Sequence, residues 1–296
     1  MPADIQFYRR GQSEPETEVV LGDGMIRWAY AGDRIPFLAR LFFHSAWPSK
    51  LMGAYCNSRL SRRRVAPTIT HLEIDAAEFL DPADSYPTFQ AFFTRRLQPD
   101  ARPYDSAEDV IVAPADGRYL LFPSITERTV VPAKGCSYSL DELLACGAAV
   151  FSGGDVLVAR LCPADYHRYH FPCGGRRVSS TRVPGRYHSV NPLALACGVN
   201  AFGQNLRVVN QLESEALGPF AFVEVGAFGV SGIVETHDEE TFQKMDEKGY
   251  FEFGGSTVVL VFAPGVLRWD DDLVQHSAAG YETWLKVGEQ IATLSG

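Results

Sequence analysis

The stretch Phe251–Phe262, FEFGGSTVVLVF, decides how the chain is read. Phe251, Phe253 and the run from Val258 to Phe262 are aromatic, β-branched or aliphatic, so both flanks favour strand. Gly254-Gly255-Ser256-Thr257 interrupts them, and two glycines between strand formers mark a turn, a bulge or a close backbone approach. The tetrapeptide alone fits a kink in a sheet with a serine beside it. It also fits self-cleavage. Gly255 has no side chain to block its carbonyl and accepts strained φ/ψ, so the Ser256 hydroxyl can attack that carbonyl and turn the amide into an ester. β-Elimination of the ester leaves dehydroalanine at position 256, and its hydrolysis gives a pyruvoyl group.

The totals narrow the choice. A chain of 296 residues forms one large domain or two modest ones with an ample core. With 46% hydrophobic and 21% charged residues it has a globular composition. A net charge of −9 argues against a general nucleic-acid binder. Cys56, Cys136, Cys146, Cys162, Cys173 and Cys197 are widely spaced without a CxxC pair, which predicts buried free thiols in a reducing compartment. The start, MPADIQFYRR, lacks the apolar run of a signal peptide. No stretch reaches the ~20 apolar residues of a membrane span, and Glu224 breaks the best one, 221–234. A soluble or peripheral protein is expected.

The segment Arg34–Leu72 stands apart, with seven Lys/Arg and no Asp or Glu. Its first half is rich in Phe, Leu and Trp, and Leu38, Leu41, Phe42 and Ser45 share helical spacing. Two accounts are open: a basic amphipathic membrane-surface element, or a helix packed on the protein's own core with its arginines in water. Further on, strands are expected within 19–21, 25–30, 68–79, 110–119, 155–161, 208–213, 220–230 and 251–261, the last closing the sheet. Thr88–Leu97 reads as helix, and Ser137–Ala145 carries a serine cap signal before a short helix. Asp270-Asp271-Asp272 reads as a solvated run, because adjacent aspartates diverge from any common ion, and Tyr281–Leu294 as a short tail.

Two further stretches carry possible chemistry. VIVAPADGRY ends an apolar strand in Pro114-Ala115-Asp116-Gly117, ordinarily a turn. CPADYHRYHFPCGG, Cys162–Gly175, places His167 and His170 three apart after Asp165. Positions three apart face opposite sides of a straight strand, but the prolines make a turn that unites them credible. A metal pair, acid–base work near neutrality and two rings bonded to backbone are all open, though no partner has metal-ligand spacing. His188 reads as a loop histidine.

Taken together, the motifs closely resemble the phosphatidylserine decarboxylase family. They are ARPYD and APADG within 101–117, AKGCSYSLDELLACG at 133–147, CPADYHRYHFPCGG at 162–175, VEVGAFGVSGI at 223–233 and KGYFEFGGSTVVLVF at 248–262, in the family's order. Residues 1–72 match only in character, and GGST replaces the LGST of many bacterial members. The resemblance implies a proenzyme cut between Gly255 and Ser256 into a larger β chain, 1–255, and a smaller α chain, 256–296, that begins with a pyruvoyl cofactor made from Ser256. It implies that Asp116 and His170 activate Ser256, with the histidine taking the serine proton as in serine hydrolases, and that His167 serves decarboxylation. It implies that phosphatidylserine forms a Schiff base with the pyruvoyl ketone, the electron sink for loss of carbon dioxide, giving phosphatidylethanolamine. No metal is implied. The resemblance favours docking of 1–72 on a phospholipid membrane from the cytoplasmic side, ahead of a catalytic domain at 73–296, and a homodimer. The alternatives are a related decarboxylase of a soluble amino acid and a binding homologue that never cleaves. The fold expected is α+β, mostly antiparallel strands in a sandwich or partial barrel, with a helical N-terminal element and with Asp116, His170 and Ser256 converging.

Overall fold

The computed structural model describes residues 5–19, 46–125, 139–145, 147–186, 188, 201–226, 232–254 and 256–295. The expected strand at 25–30, Gly255, most of the aromatic half of the basic segment and parts of two family motifs lie outside them.

The described chain is mostly β. Its strands are β1 (Gln6–Arg9), β2 (Glu16–Thr17), β3 (Val110–Val112), β4 (Gly117–Phe122), β5 (Asp155–Leu161), β6 (Arg168–His170), β7 (Gly175–Val183) and β8 (Arg207–Ser214). They continue with β9 (Gly218–Gly226), β10 (Ile233–Glu235), β11 (Thr241–Phe242), β12 (Glu247–Phe251), β13 (Ser256–Phe262), β14 (Leu267–Trp269), β15 (Glu282–Leu285) and β16 (Gln290–Leu294). Ten form one sheet in the order β11-β7-β8-β9-β13-β5-β4-β15-β1-β2. Two three-stranded sheets, β10-β12-β6 and β14-β16-β3, accompany it. Pairing is antiparallel except between β1 and β15. The antiparallel, mostly β expectation holds, and the large sheet stays open rather than closing into a barrel.

β13 sits in the middle of the large sheet, paired along its whole length with β5 on one side and β9 on the other. All seven of its residues are buried. Strand alternation divides them between two cores. Val259 and Val261 join Val156, Val158, Val223 and the helix Leu140–Leu144 on one face. Val258, Leu260 and Phe262 join Leu157, Phe220, Phe222, Tyr169, Phe171 and Phe251 on the other. Ser256 has the parity of that second face, where the histidine-bearing β6 and its partner β12 also lie. A third cluster, of Phe79, Tyr86, Phe89, Phe92 and Phe93, joins the segment from Cys56 to Val65 to this side of the molecule.

Several expectations are corrected. Residues 251–261 do not form one strand closing the sheet. Phe251 ends β12 in a three-stranded sheet, and the chain crosses to the centre of the large one before β13 begins. The 88–97 helix stops at Phe93, because the chain turns at Thr94 so that Leu97 can bridge Phe79. The region 68–79 holds the helix Val65–His71 and a 3₁₀ turn at Ala76–Glu78 rather than a strand. Gln6–Arg9 and Glu16–Thr17 form strands that were not expected, and the expected strand at 19–21 lies outside the described residues except for Val19. The tail supplies β15 and β16, which pair with β1, β3, β4 and β14. Asp270–Asp272 opens the helix Asp271–Ala278, where early carboxylates suit the helix dipole, and Arg10 binds Asp270 at 3.2 Å and Asp272 at 2.7 Å. The serine cap within Ser137–Ala145 falls at Ser139, as a full capping box with Glu142; Cys56, Cys162 and Cys173 are buried free thiols, and Cys136, Cys146 and Cys197 lie outside the described residues.

Gly154, just before β5, has no room for a side chain: a Cβ there would lie 1.9 Å from the Phe262 carbonyl oxygen and 3.0 Å from that of Phe151. Gly154→Ala is expected to destabilise the protein by about 1–3 kcal/mol through overpacking, read as a lower midpoint in chemical denaturation.

Candidate active site

Ser256 opens β13, with Gly226 of β9 on one side and Leu161 of β5 on the other. It is fully buried, and its Oγ has no hydrogen-bond partner among the described residues. Leaving a buried hydroxyl unpaired costs on the order of 1–3 kcal/mol, so the arrangement marks a group held for something other than stability. Two residues earlier, Gly254 has φ +144°, a conformation that L side chains rarely adopt.

The histidine segment follows directly from β5. At its start a buried ion cluster holds the Cys162–His167 turn. Asp165 accepts from the Cys162 amide at 2.6 Å, from Arg118 at 2.9 Å and from the Trp284 indole at 3.2 Å. Arg118 also pairs with Glu18, which binds Arg160, and Arg160 reaches Glu282. Burial pushes the Glu18 carboxyl upward, but Arg160 and Arg118 outweigh it and hold the group at about 2. Asp165 moves the other way, raised by its burial against the pull of Arg118.

His167 is fully buried. Its Nδ1 lies 2.9 Å from the Asp165 carbonyl oxygen. A carbonyl only accepts, so Nδ1 carries the proton and Nε2 is left with its lone pair and no partner among the described residues. Burial, reinforced by the positive charge of Arg95, lowers this imidazole to about 3, so it is neutral at ordinary pH. The Phe93 ring packs on it at 3.8 Å between centroids, and Phe253 packs on Phe93 at 5.1 Å. The Phe251 amide donates to the His167 carbonyl at 3.0 Å. His167 is therefore anchored to the strand and the aromatic cluster that lead into Gly254 and Ser256.

His170 is arranged in the same way. Its Nδ1 faces the Met245 carbonyl at 3.0 Å, and its Nε2 is buried without a partner among the described residues. Burial lowers its basicity, against the opposing influence of Met245, Glu247 and Asp116. Its amide donates to the Pro114 carbonyl at 2.8 Å, which fastens it to the loop carrying Asp116. The Asp116 carboxylate is taken by Arg102 at 2.9 and 2.6 Å and by the Val287 amide at 2.8 Å. Among the described residues no hydrogen bond joins Asp116, His170 and Ser256 to one another. Asp116 acts on His170 through its charge and through the shared loop, and Met245 sets the ring's tautomer. The His188 backbone is clamped by Asn205, which also donates to the carbonyl of Gly226 opposite Ser256.

Three features escape a reading of sequence alone. Arg102, inside the ARPYD motif, bridges Asp116 and Glu78. Phe93 backs His167. Lys248, fully buried at a bulge in β12, ties Glu224 of β9 to Glu235 of β10, while Asn210 donates to Glu224 at 2.9 Å. The only sequence sign of this last cluster is a glutamate inside an apolar run. Burial, only partly countered by Lys248, raises the Glu224 carboxyl to about 7.

A family model described as phosphatidylserine decarboxylase matches residues 89–293. The chain belongs to the phosphatidylserine decarboxylase family. Among curated relatives, a phosphatidylserine decarboxylase proenzyme of Clostridium perfringens is 38% identical over 290 residues, covering 97% of this chain and 99% of the relative. One from Clostridium botulinum is 36% identical over 292 residues, covering 98% and 99%. One from Ruminiclostridium cellulolyticum is 35% identical over 290 residues, covering 97% of each.

The raised Glu224 carboxyl carries a signed consequence. Between its unfolded value near 4.5 and about 7 the folded chain holds the extra proton, so this group's contribution is full below the lower value and is lost as pH rises through the upper one. Glu224→Gln is expected to remove that loss. The difference in unfolding free energy between wild type and variant then shifts against the wild type across this window, as urea denaturation at stepped pH measures.

Proposed function

We propose that the chain is made as a precursor that cuts itself between Gly255 and Ser256 and then decarboxylates phosphatidylserine to phosphatidylethanolamine. The observation that carries this reading is the buried, unpartnered Ser256 Oγ at the head of β13. It lies on the sheet face shared with a histidine strand whose two Nε2 atoms are also unpartnered.

In the cleavage step His170 is the base. Its Nδ1–H is pinned by the Met245 carbonyl, so Nε2 is the atom that takes the serine proton. The Asp116 carboxylate, fixed by Arg102, stabilises the imidazolium that results. Gly254 takes a φ of +144° that glycine alone adopts readily, and position 255, a glycine, has no side chain to block attack on its carbonyl. Ser256 suits conversion into a pyruvoyl group, since among the described residues its Oγ makes no hydrogen bond that the loss of that oxygen would break. When formed, that group supplies an electron-accepting carbonyl for loss of the substrate carboxylate. His167, pinned at Nδ1 by the Asp165 carbonyl, takes at Nε2 the proton that the substrate ammonium must shed and returns it to the carbon that has lost its carboxylate. The wall of Phe93 and Phe253 keeps water away, which favours the departure of a charged carboxylate as neutral carbon dioxide.

The substrate lies in a bilayer, and no helix among the described residues is long and apolar enough to cross one. Peripheral docking through residues 1–72 on the cytoplasmic side, with 73–296 as the catalytic part and assembly as a homodimer, completes the reading.

Intact mass under denaturing conditions tests it. Two chains, 1–255 and a ketone-bearing 256–296, are expected, and a stable full-length mass in the presence of phospholipid overturns the proposal. Ser256→Ala and His170→Ala are expected to stay uncut. His167→Ala should still cut, with decarboxylation reduced by roughly 10²–10⁴-fold, the range for a lost acid–base group; wild-type turnover would remove His167 from the reaction.

A further inference from the structure

A cavity of about 500 Å³ opens between residues 59–66 and 83–86, lined by Arg59, Arg62, Arg63, Val65, Asp84 and Tyr86 among others. We propose that it seats the phosphodiester of an anionic phospholipid in a bilayer, as a docking site separate from the catalytic one. This rests on the reading of a bilayer substrate.

Charge argues first. From Ala46 to Leu72 the chain carries Lys50, Arg59, Arg62, Arg63 and Arg64 and no carboxylate, within a protein of net charge −9. The molecule as a whole is repelled by an anionic surface, so attraction has to be local. The guanidinium is the side chain best matched to phosphate oxygens. Arg62 donates to the Asp84 carbonyl at 2.6 Å, which fixes one wall. Arg59 and Arg63 are exposed and make no hydrogen bond or ion pair with the described residues. Asp84, the one acid in the lining, is itself exposed at the rim.

Apolar surface argues next. Leu60, in the lining, is 70% exposed, and Leu51, on the helix Ala46–Cys56 just before it in the chain, is 63% exposed. Cations beside exposed aliphatic side chains suit the boundary between headgroups and acyl chains.

The third support is attachment to the site. Ser61 Oγ donates to the Cys56 carbonyl and accepts the Phe89 amide at 2.9 Å. Tyr86, in the lining, packs on Phe92 at 6.0 Å. The helix Phe89–Phe93 ends in the ring that packs on His167. A lipid phosphodiester held by Arg59 and Arg63 thus fixes how the histidine wall faces the membrane.

The test uses the full chain and vesicles of phosphatidylcholine with or without about 30 mol% phosphatidylglycerol, an anionic lipid that has no carboxylate to lose. Wild type should cosediment in a phosphatidylglycerol-dependent manner. Arg59→Gln/Arg63→Gln should weaken that binding at least about tenfold, since each basic residue near an anionic surface contributes roughly fivefold. Arg182→Gln/Arg268→Gln, on exposed arginines elsewhere, should change it little. Unchanged thermal unfolding verifies the folds, and Arg63→Gln alone serves if the pair unfolds early. Equal loss in both pairs means diffuse attraction and overturns the seat. A wild type that binds with a variant that binds as tightly overturns the seat alone. A wild type that ignores phosphatidylglycerol overturns both the seat and membrane docking. An uncut chain that still binds through Arg59 and Arg63 overturns the decarboxylase reading and leaves the seat standing.

Discussion

The double pairing of β13 is the constraint on which the rest depends. A strand with ladder partners on both sides and cores on both faces has no freedom of register, because a slip of one residue would exchange its two faces. That fixes Ser256 opposite Gly226 and Leu161. It also fixes the direction from which the preceding chain arrives. β12 belongs to another sheet, so the backbone has to cross between layers within a few residues, and Gly254 at φ +144° makes that crossing. The position proposed to react is where one layer is joined to another.

Electrostatics does the complementary positioning. Glu18, Arg118, Arg160, Asp165 and Glu282 form a buried cluster drawn from the two ends of the chain and its middle. Removing one member would strand a charge, which is far more costly than the net value of the pairs. The cluster does not reach the reacting atoms. It locks the turn whose carbonyl orients His167, as Arg102 locks the carboxylate beside His170. In both cases a backbone carbonyl, rather than a side-chain acid, selects the tautomer.

What could be read from sequence follows from how local each signal is. Strand-forming runs such as Asp155–Leu161 and Arg207–Ser214, and the capping box at Ser139, state themselves within a few residues. The ordered motifs pointed to Asp116, His167, His170 and Ser256 as the residues to watch, and the structure shows three unpartnered buried atoms among them. The features that escaped are settled by distant partners. Thr88–Leu97 has helical composition, but the bridge from Leu97 to Phe79 ends the helix after Phe93. Residues 281–294 look like a tail because their strand partners, β1, β3, β4 and β14, are not neighbours in sequence apart from β14. The aspartates at 270–272 look solvated until Arg10, from the other end of the chain, meets them. Glu224 looked like an interruption of an apolar run, and Lys248 is its reason.

The central place of β13 has a thermodynamic consequence. A break in the backbone ahead of it would leave the last 41 residues, 256–296, held by both ladders of β13, by β15 between β1 and β4 and by β16 on β3. The shorter piece could not leave without dismantling the sheet. Before such a break, unfolding of one chain separates no pieces of it, so the fold within a chain adds no dependence on protein concentration. Afterwards, unfolding and dissociation are one event, refolding becomes a bimolecular search, and apparent stability rises with concentration by mass action. A chain of this design assembles most reliably while it is still in one piece. Once divided, it persists through the slowness with which the central strand can be pulled out.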